Sequence, residues 1–277
     1  MNMDNNLQKI DISLKGVPRT LIMPLLGRAK FSQKPYSPIQ DKLAIQLVES
    51  LNYDFSCLEK QLGNTSLYFI ARAYHFDQAV KNYLRLHPNG SIVNLGAGLE
   101  TAFYRVDNKK LSWIDLDLPE VIELRQKLLP QSSRVYPIAK SVLDFSWMDE
   151  VKNHGREFLF FAGGLLIYFR EKEVKLLLQE MASRFRSSEF IFDTITSKGM
   201  YYANKMLNQA NMSDALMQWP CDDPSQLARW SAHIQVIDQK KYFQQLKLLK
   251  GFPLLLRFRM FFYDLMSKPQ IIHLKFS

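Results

Sequence analysis

Apolar and polar positions change rhythm once along this chain, near residue 90. Before it the period is helical. Asp41 to Leu51 sets Leu43, Ala44, Leu47, Val48 and Leu51 on one stripe, with Asp41, Lys42, Gln46 and Glu49 outside it. Tyr68 to Leu86 repeats that stripe through Ile70, Tyr74, Val80 and Leu84, until His87-Pro88-Asn89-Gly90 ends it. These ninety residues are expected to be helical throughout, with no strand.

After Gly90 short apolar runs alternate with helical stretches. Strands are predicted at Ser91–Leu95, Leu111–Asp115, Arg134–Ile138, Phe158–Ala162 and Phe190–Ile195. Helices are expected from Pro119, which suits a first helical turn, and over Glu171–Phe185, with Val174, Leu177, Leu178 and Met181 inward. Phe158–Ala162 is apolar throughout, as a strand covered on both faces must be. This alternation predicts an α/β fold with a mostly parallel sheet. Two further strand candidates, His233–Ile237 and Gln270–Phe276, flank a helix-like stretch over Lys240–Met266. The expected division is a helical cap over 1–90 and an α/β core over 91–277, with a substrate-covering insertion at about 198–232.

Composition narrows the class. Of 277 residues, 47% are hydrophobic and 23% charged, which excludes an intrinsically disordered chain or a disulfide scaffold. The longest apolar run, Phe158 to Phe169, is twelve residues with Gly163 and Gly164 inside it, short of the roughly twenty that span a bilayer. The first fifteen residues carry Asp4, Lys9, Asp11 and Lys15 with no uninterrupted apolar core, so no secretory signal is expected. Cys57 and Cys221 are far apart and form no metal-binding spacing, so both are expected to be buried free thiols in a reducing compartment. A cytoplasmic protein without a membrane partner is expected. The net charge of +9 is spread over short clusters such as Lys109-Lys110 and Lys240-Lys241, so a nucleic-acid partner is not expected.

The chemistry gathers at Asn94-Leu95-Gly96-Ala97-Gly98. Glycines after the first parallel strand permit a tight turn and close approach of a ligand. Asp117 follows the second strand 21 positions after Gly96, where an acid grips a ribose. The third glycine of a dinucleotide fingerprint is replaced by Thr101, which favours an adenosine ligand without a diphosphate, such as S-adenosylmethionine, over a nicotinamide. A nicotinamide oxidoreductase stays as an alternative.

A larger pattern then emerges. Val17-Pro18-Arg19-Thr20-Leu21, Pro24 to Lys30, Arg72, Asp77, Val93 to Leu99, Phe103 to Asn108, Trp113 to Arg125, Ser141-Val142-Leu143-Asp144 with Trp147, and Gly164 to Tyr168 follow in order. Together they resemble the leucine carboxyl methyltransferase family, most nearly its bacterial branch of polyketide O-methyltransferases. The resemblance implies a class I, Rossmann-like methyltransferase with a seven-stranded sheet and an antiparallel C-terminal strand, using S-adenosylmethionine. It implies that Asn94, Gly96, Ala97, Gly98 and Ala162 lie at the cofactor. Asp117, beside Leu118, would hold the ribose, and Ser141 and Val142 would flank the adenine. Arg72, with Arg28, would reach the methionine carboxylate, which a guanidinium binds with paired hydrogen bonds.

Tyr168, Tyr201 and Tyr202 are candidates to line the acceptor pocket, with Met206, Trp219 and Trp230. The acceptor is expected to be a small metabolite offering a carboxylate or phenolic oxygen. No catalytic base is assigned, since His75, His87 and His154 fall outside the marked positions, and no metal is expected at Asp193. The chain departs from the family pattern at Glu100, Ala102 and Gly163. Where the family has a glutamate after the fourth strand's alanine, this chain has Gly163, so a negative charge near the sulfonium is missing. A weakened member that serves as a binding or scaffold protein is therefore a second alternative.

Overall fold

A computed structural model describes residues 9–12, 14–63, 66–246, 249, 251–266 and 270–277. Its centre is a seven-stranded sheet. The strands are β1 (Ser91–Leu95), β2 (Ser112–Asp117), β3 (Val135–Ala139), β4 (Phe158–Ala162), β5 (Glu189–Thr194), β6 (Ile234–Lys241) and β7 (Gln270–Phe276). They lie in the order β3-β2-β1-β4-β5-β7-β6, parallel except that β7 runs antiparallel to both β5 and β6. The order reverses at β1, and that crevice beyond the strand ends is where ligands bind in open α/β sheets.

Ten helices accompany the sheet among the described residues: α1 (Ile22–Ser32), α2 (Lys42–Ser50), α3 (Ser56–Leu62), α4 (Ser66–Leu86), α5 (Ala102–Val106), α6 (Pro119–Leu128), α7 (Trp147–Lys152), α8 (Glu171–Arg184), α9 (Ser197–Gln209) and α10 (Leu254–Met266). The sheet buries both faces. On one, Phe160, Phe190 and Phe192 pack with Trp147, Leu177, Leu178 and Phe185. On the other, Ile92, Trp113, Leu159 and Phe161 pack with Ile70, Phe76 and Val80 of α4. The central strands β1 and β4 are buried along their whole length, with neither face meeting water, whereas the edge strand β6 alternates buried and exposed positions.

Asp41 is the N-cap of α2 rather than its first residue, and its carboxylate accepts from Ala44 N at 3.0 Å. The first ninety residues are not wholly helical. Ile10–Asp11 pairs in parallel with Leu51–Asn52, too short a match for any periodicity to betray. The expected helix over Lys240–Met266 is corrected more sharply. Lys240 and Lys241 belong to β6, and among the described residues of that stretch only Leu254–Met266 forms an α-helix, since Gly251 at φ +95° and Pro253 interrupt the backbone before it. The apolar period continued across that break and concealed it.

Candidate functional site

The turn after β1 is built for close approach. Gly96 sits at φ +66° and Gly98 at φ +44°, a region that costs other residues strain, and a Cβ on Gly96 would stand 2.7 Å from Leu165 Cδ1. Arg125 of α6 holds the turn from below. Its Nη1 donates to the carbonyls of Ala97, Gly98 and Glu100 at 3.1, 2.8 and 3.0 Å, and its Nη2 pairs with Asp115. Asp115 also accepts from Asn94 Nδ2 at 2.8 Å and Trp113 Nε1 at 2.9 Å, so Asn94 is locked in the core. Arg125 is essential to this cradle, yet its place in the sequence is that of an ordinary helical arginine.

Asp117, at the end of β2, accepts from Gly98 N and Leu118 N, both at 2.7 Å. Burial raises its pKa above the ordinary value, against the pull of those two backbone donors. Each of its oxygens keeps a lone pair, the requirement for also accepting from a pair of hydroxyls.

Above the turn lies a cavity of about 560 Å³. Its wall includes Arg28, Arg72, Asn94, Gly96, Ala97, Gly98, Asp117, Leu118, Ser141, Val142, Tyr168 and Tyr202, which the fold gathers from both sides of the switch point. Ala162 and Tyr201 are not on that wall. Ala162 is fully buried inside the sheet, and Tyr201 is 67% exposed on the outer side of α9. Trp219 is a core residue and Trp230 packs against that core, while Met206 and Met217 do line the cavity. The volume and the Cβ-free, carboxylate-flanked cradle fit an adenosine-bearing ligand with room for an acceptor beside it.

The two arginines on the wall differ. Arg28 donates from Nε to Asp41 at 2.9 Å and from Nη2 to the Leu99 carbonyl at 2.7 Å, and its Nη1 is 3.3 Å from Glu100. It belongs to a buried network centred on Arg105, which binds Asp77 through two donors at 2.8 and 2.9 Å and also Asp41 and Glu100. Thr101 joins that network by donating to Asp41 at 2.6 Å. The side chain at the missing third glycine thus ties the turn to α2 instead of leaving room for a diphosphate. Burial works against ionisation of Glu100, but Arg28 and Arg105 outweigh it and hold its carboxyl at about 2.

Arg72 faces Asp193 at the end of β5, 3.2 Å away, and its guanidinium lies 5.6 Å from the centre of the Phe69 ring. Asp193 also accepts from Tyr242 Oη at 2.6 Å and from Gly164 N. Gly163 and Gly164 make room for this group. A Cβ on Gly164 would lie 2.4 Å from Arg72 Nη1, and one on Gly163 would lie 2.9 Å from the Phe76 ring. Asp193, from the neighbouring strand, brings a carboxylate to the same cavity wall as Gly163. Only the sheet order reveals it, since 193 and 163 are thirty positions apart.

No histidine of the described residues lines the cavity. His75 is buried with its Nε2 2.7 Å from the Tyr242 carbonyl, His87 stacks on Tyr83, and His154 packs on Tyr136. Among the described residues no group of three or more metal-ligating side chains exists. Cys221 is buried and its thiol is pushed up to about 12, chiefly by burial, and the Cys57 side chain lies outside the described residues.

The comparisons with known proteins agree with this geometry. The family model for leucine carboxyl methyltransferase matches residues 22–182, more than half of the chain. The chain is 29% identical over 217 residues to the tetracenomycin polyketide synthesis O-methyltransferase TcmP of Streptomyces glaucescens, covering 78% of this chain and 79% of that protein. It is 26% identical over 242 residues to the S-adenosyl-L-methionine-dependent methyltransferase dpfgK of Gibberella zeae, covering 80% and 81%. A solved protein of Thermobifida fusca shares the fold at TM-score 0.63 and 12% identity, over 99% of this chain and 98% of that one. The plantazolicin methyltransferase BpumL, solved with S-adenosylhomocysteine, does so at TM-score 0.52 and 9% identity, over 94% and 98%. The chain belongs to the leucine carboxyl methyltransferase family and is an S-adenosylmethionine-dependent methyltransferase.

Proposed function

We propose that this chain methylates an oxygen of a small, largely apolar metabolite, and that the oxygen is a carboxylate. The observation that carries the reading is the lining of the cavity: no imidazole of the described residues reaches it. Burial raises the pKa of Tyr168, and burial with the Asp193 charge raises that of Tyr242 further. An acceptor carboxylate is ionised at neutral pH and needs no base, whereas a phenol with a pKa near 10 benefits from one. S-adenosylmethionine supplies an electrophilic methyl group on a sulfonium sulfur. The glycine turn and Asp117 hold its adenosine half, with Ser141 and Val142 beside the adenine and Arg72 at its carboxylate. Asp193 stands in for the missing glutamate as the negative charge beside the cationic end. Arg28 is a positioning residue that clamps Leu99 and Glu100 at the edge of the turn.

Rate acceleration then rests on alignment, since an in-line displacement needs the acceptor oxygen held close and collinear. Tyr168, Tyr202, Met206, Met217 and Tyr263 form the acceptor half of the wall and suit a flat or apolar skeleton. The test is a methyl-transfer screen with paired acceptors that share a skeleton and carry either a carboxylic acid or a phenol. Labelled product is expected from the acids, and mild alkali should release the label as methanol. Alkali-stable product from the phenols alone would assign an ether-forming enzyme instead.

A further inference from the structure

Helix α10 presents its apolar face to solvent. Leu254, Leu255, Phe258, Phe261, Phe262 and Leu265 are each between 51% and 73% exposed. At about 100° per residue they fall within an arc of roughly 120°. The opposite side is the packed one. Met260 is fully buried, Leu256 and Tyr263 pack on the core beside it, and Asp264 is 3% exposed. Scattered exposed leucines need no explanation, but six large side chains on one stripe do.

Charge says what covers the stripe. Arg257 and Arg259 stand on its two flanks, about 40° beyond either edge. Arg257 is steadied there by donating to the carbonyls of Phe252 and Leu249 at 3.2 and 2.8 Å. Asp264 is the helix's sole acid and points inward. An apolar stripe bordered by arginines is the signature of a helix lying in the headgroup layer of a bilayer, with the cations at phosphate level. Two copies of this face would oppose arginine to arginine with no exposed acid of α10 between them, which disfavours a dimer through it. At 13 residues the helix is far too short to cross a bilayer, and no described helix is long and apolar enough to do so. The expectation of no membrane partner rested on the lack of a spanning segment, and that lack has no bearing on a surface contact.

We propose that α10 is an interfacial anchor that docks this protein on an anionic lipid surface. Tyr263 places the anchor beside the cavity, because it lies on α10 and lines the cavity wall. A lipophilic acceptor dissolved in the bilayer would therefore lie close to the site. The docking itself does not depend on the proposed reaction and is tested without turnover.

The experiment is flotation of the full-length protein with phosphatidylcholine vesicles, with and without one third phosphatidylglycerol, at low and high salt. Size-exclusion chromatography with light scattering, in the absence of lipid, runs in parallel. Binding is expected only to the anionic vesicles, and it should weaken with salt. Phe258→Ser with Phe262→Ser should reduce the bound fraction about tenfold or more. Arg257→Gln with Arg259→Gln should weaken vesicle affinity about thirtyfold, about fivefold for each lost surface charge. Thermal unfolding of each variant, with an unchanged midpoint, establishes that the fold is intact. Failure to float with either vesicle, equal binding to both, or a dimer that the phenylalanine substitutions dissociate would each overturn the proposal.

Discussion

Two buried clusters of arginines and acids join the first ninety residues to the sheet region, and their difference separates scaffold from site. Around Arg105 the network is closed. Its donors meet Asp77, Asp41, Glu100 and Thr101, and Arg28 meets two of those acids. Around Arg72 the network is open. Asp193, Tyr242 and the Gly164 amide complete one edge, and the rest faces the cavity. Residue types and burial are nearly the same in the two. What distinguishes them is how many acids surround the guanidinium, three for Arg105 and one for Arg72, because guanidinium donors left facing a cavity are available to a ligand.

The largest effect should come from breaking the closed network. Arg105→Ala leaves three acids without their shared cation and should cost about 3–5 kcal/mol in chemical denaturation. A loss below about 1 kcal/mol would show that the network does not hold the cap to the glycine turn.

Next in size are the open-cluster and ribose substitutions, which should act on binding. Asp117→Ala should weaken S-adenosylhomocysteine by about 2 kcal/mol, roughly thirtyfold in calorimetric titration. Arg72→Lys should weaken it about tenfold, since an ammonium cannot form paired hydrogen bonds to a carboxylate. If both variants bind as the parent does, the ligand does not occupy the cavity as proposed.

A smaller, more pointed effect belongs to Asp193→Asn. Only S-adenosylmethionine carries the sulfonium charge, so its affinity should fall about threefold more than that of S-adenosylhomocysteine. Equal losses would move Asp193 away from the cationic centre.

Acid should distinguish the clusters as well. Glu100 is held at about 2 against an ordinary 4.5, so its stabilising contribution is complete above pH 4.5 and is lost as pH falls towards 2. Asp117 is shifted the other way. Cofactor affinity, which needs its ionised form, should therefore start to fall at a pH above the ordinary carboxylate value. Asp117→Asn should abolish that dependence.

Much of the cavity wall around the glycine turn was legible in the chain because its parts are local. A strand, two glycines and an acid 21 positions on form one consecutive unit, and Ser141-Val142 follow the next strand, β3. The acceptor half was less legible. Tyr201 and Tyr202 are neighbours in sequence, and only Tyr202 reaches the cavity wall, because consecutive residues on a helix point about 100° apart. Arg28 and Arg72 carry the same charge at equally plausible positions, and the partners that separate them come from Asp41, Glu100 and Asp193.

By itself the sequence determined the α/β alternation, the glycine turn with its acid, and the family to which the chain belongs, since all of these are written in short-range order. Tertiary structure alone decided that Asp193 meets Arg72 and the Gly164 amide on the cavity wall, that Arg125 supports the turn, and that α10 turns its apolar face outward. The physical reason is shared: partner and burial are properties of the packed sheet and its helices, and a hydrophobic period shows that a face exists without showing what covers it.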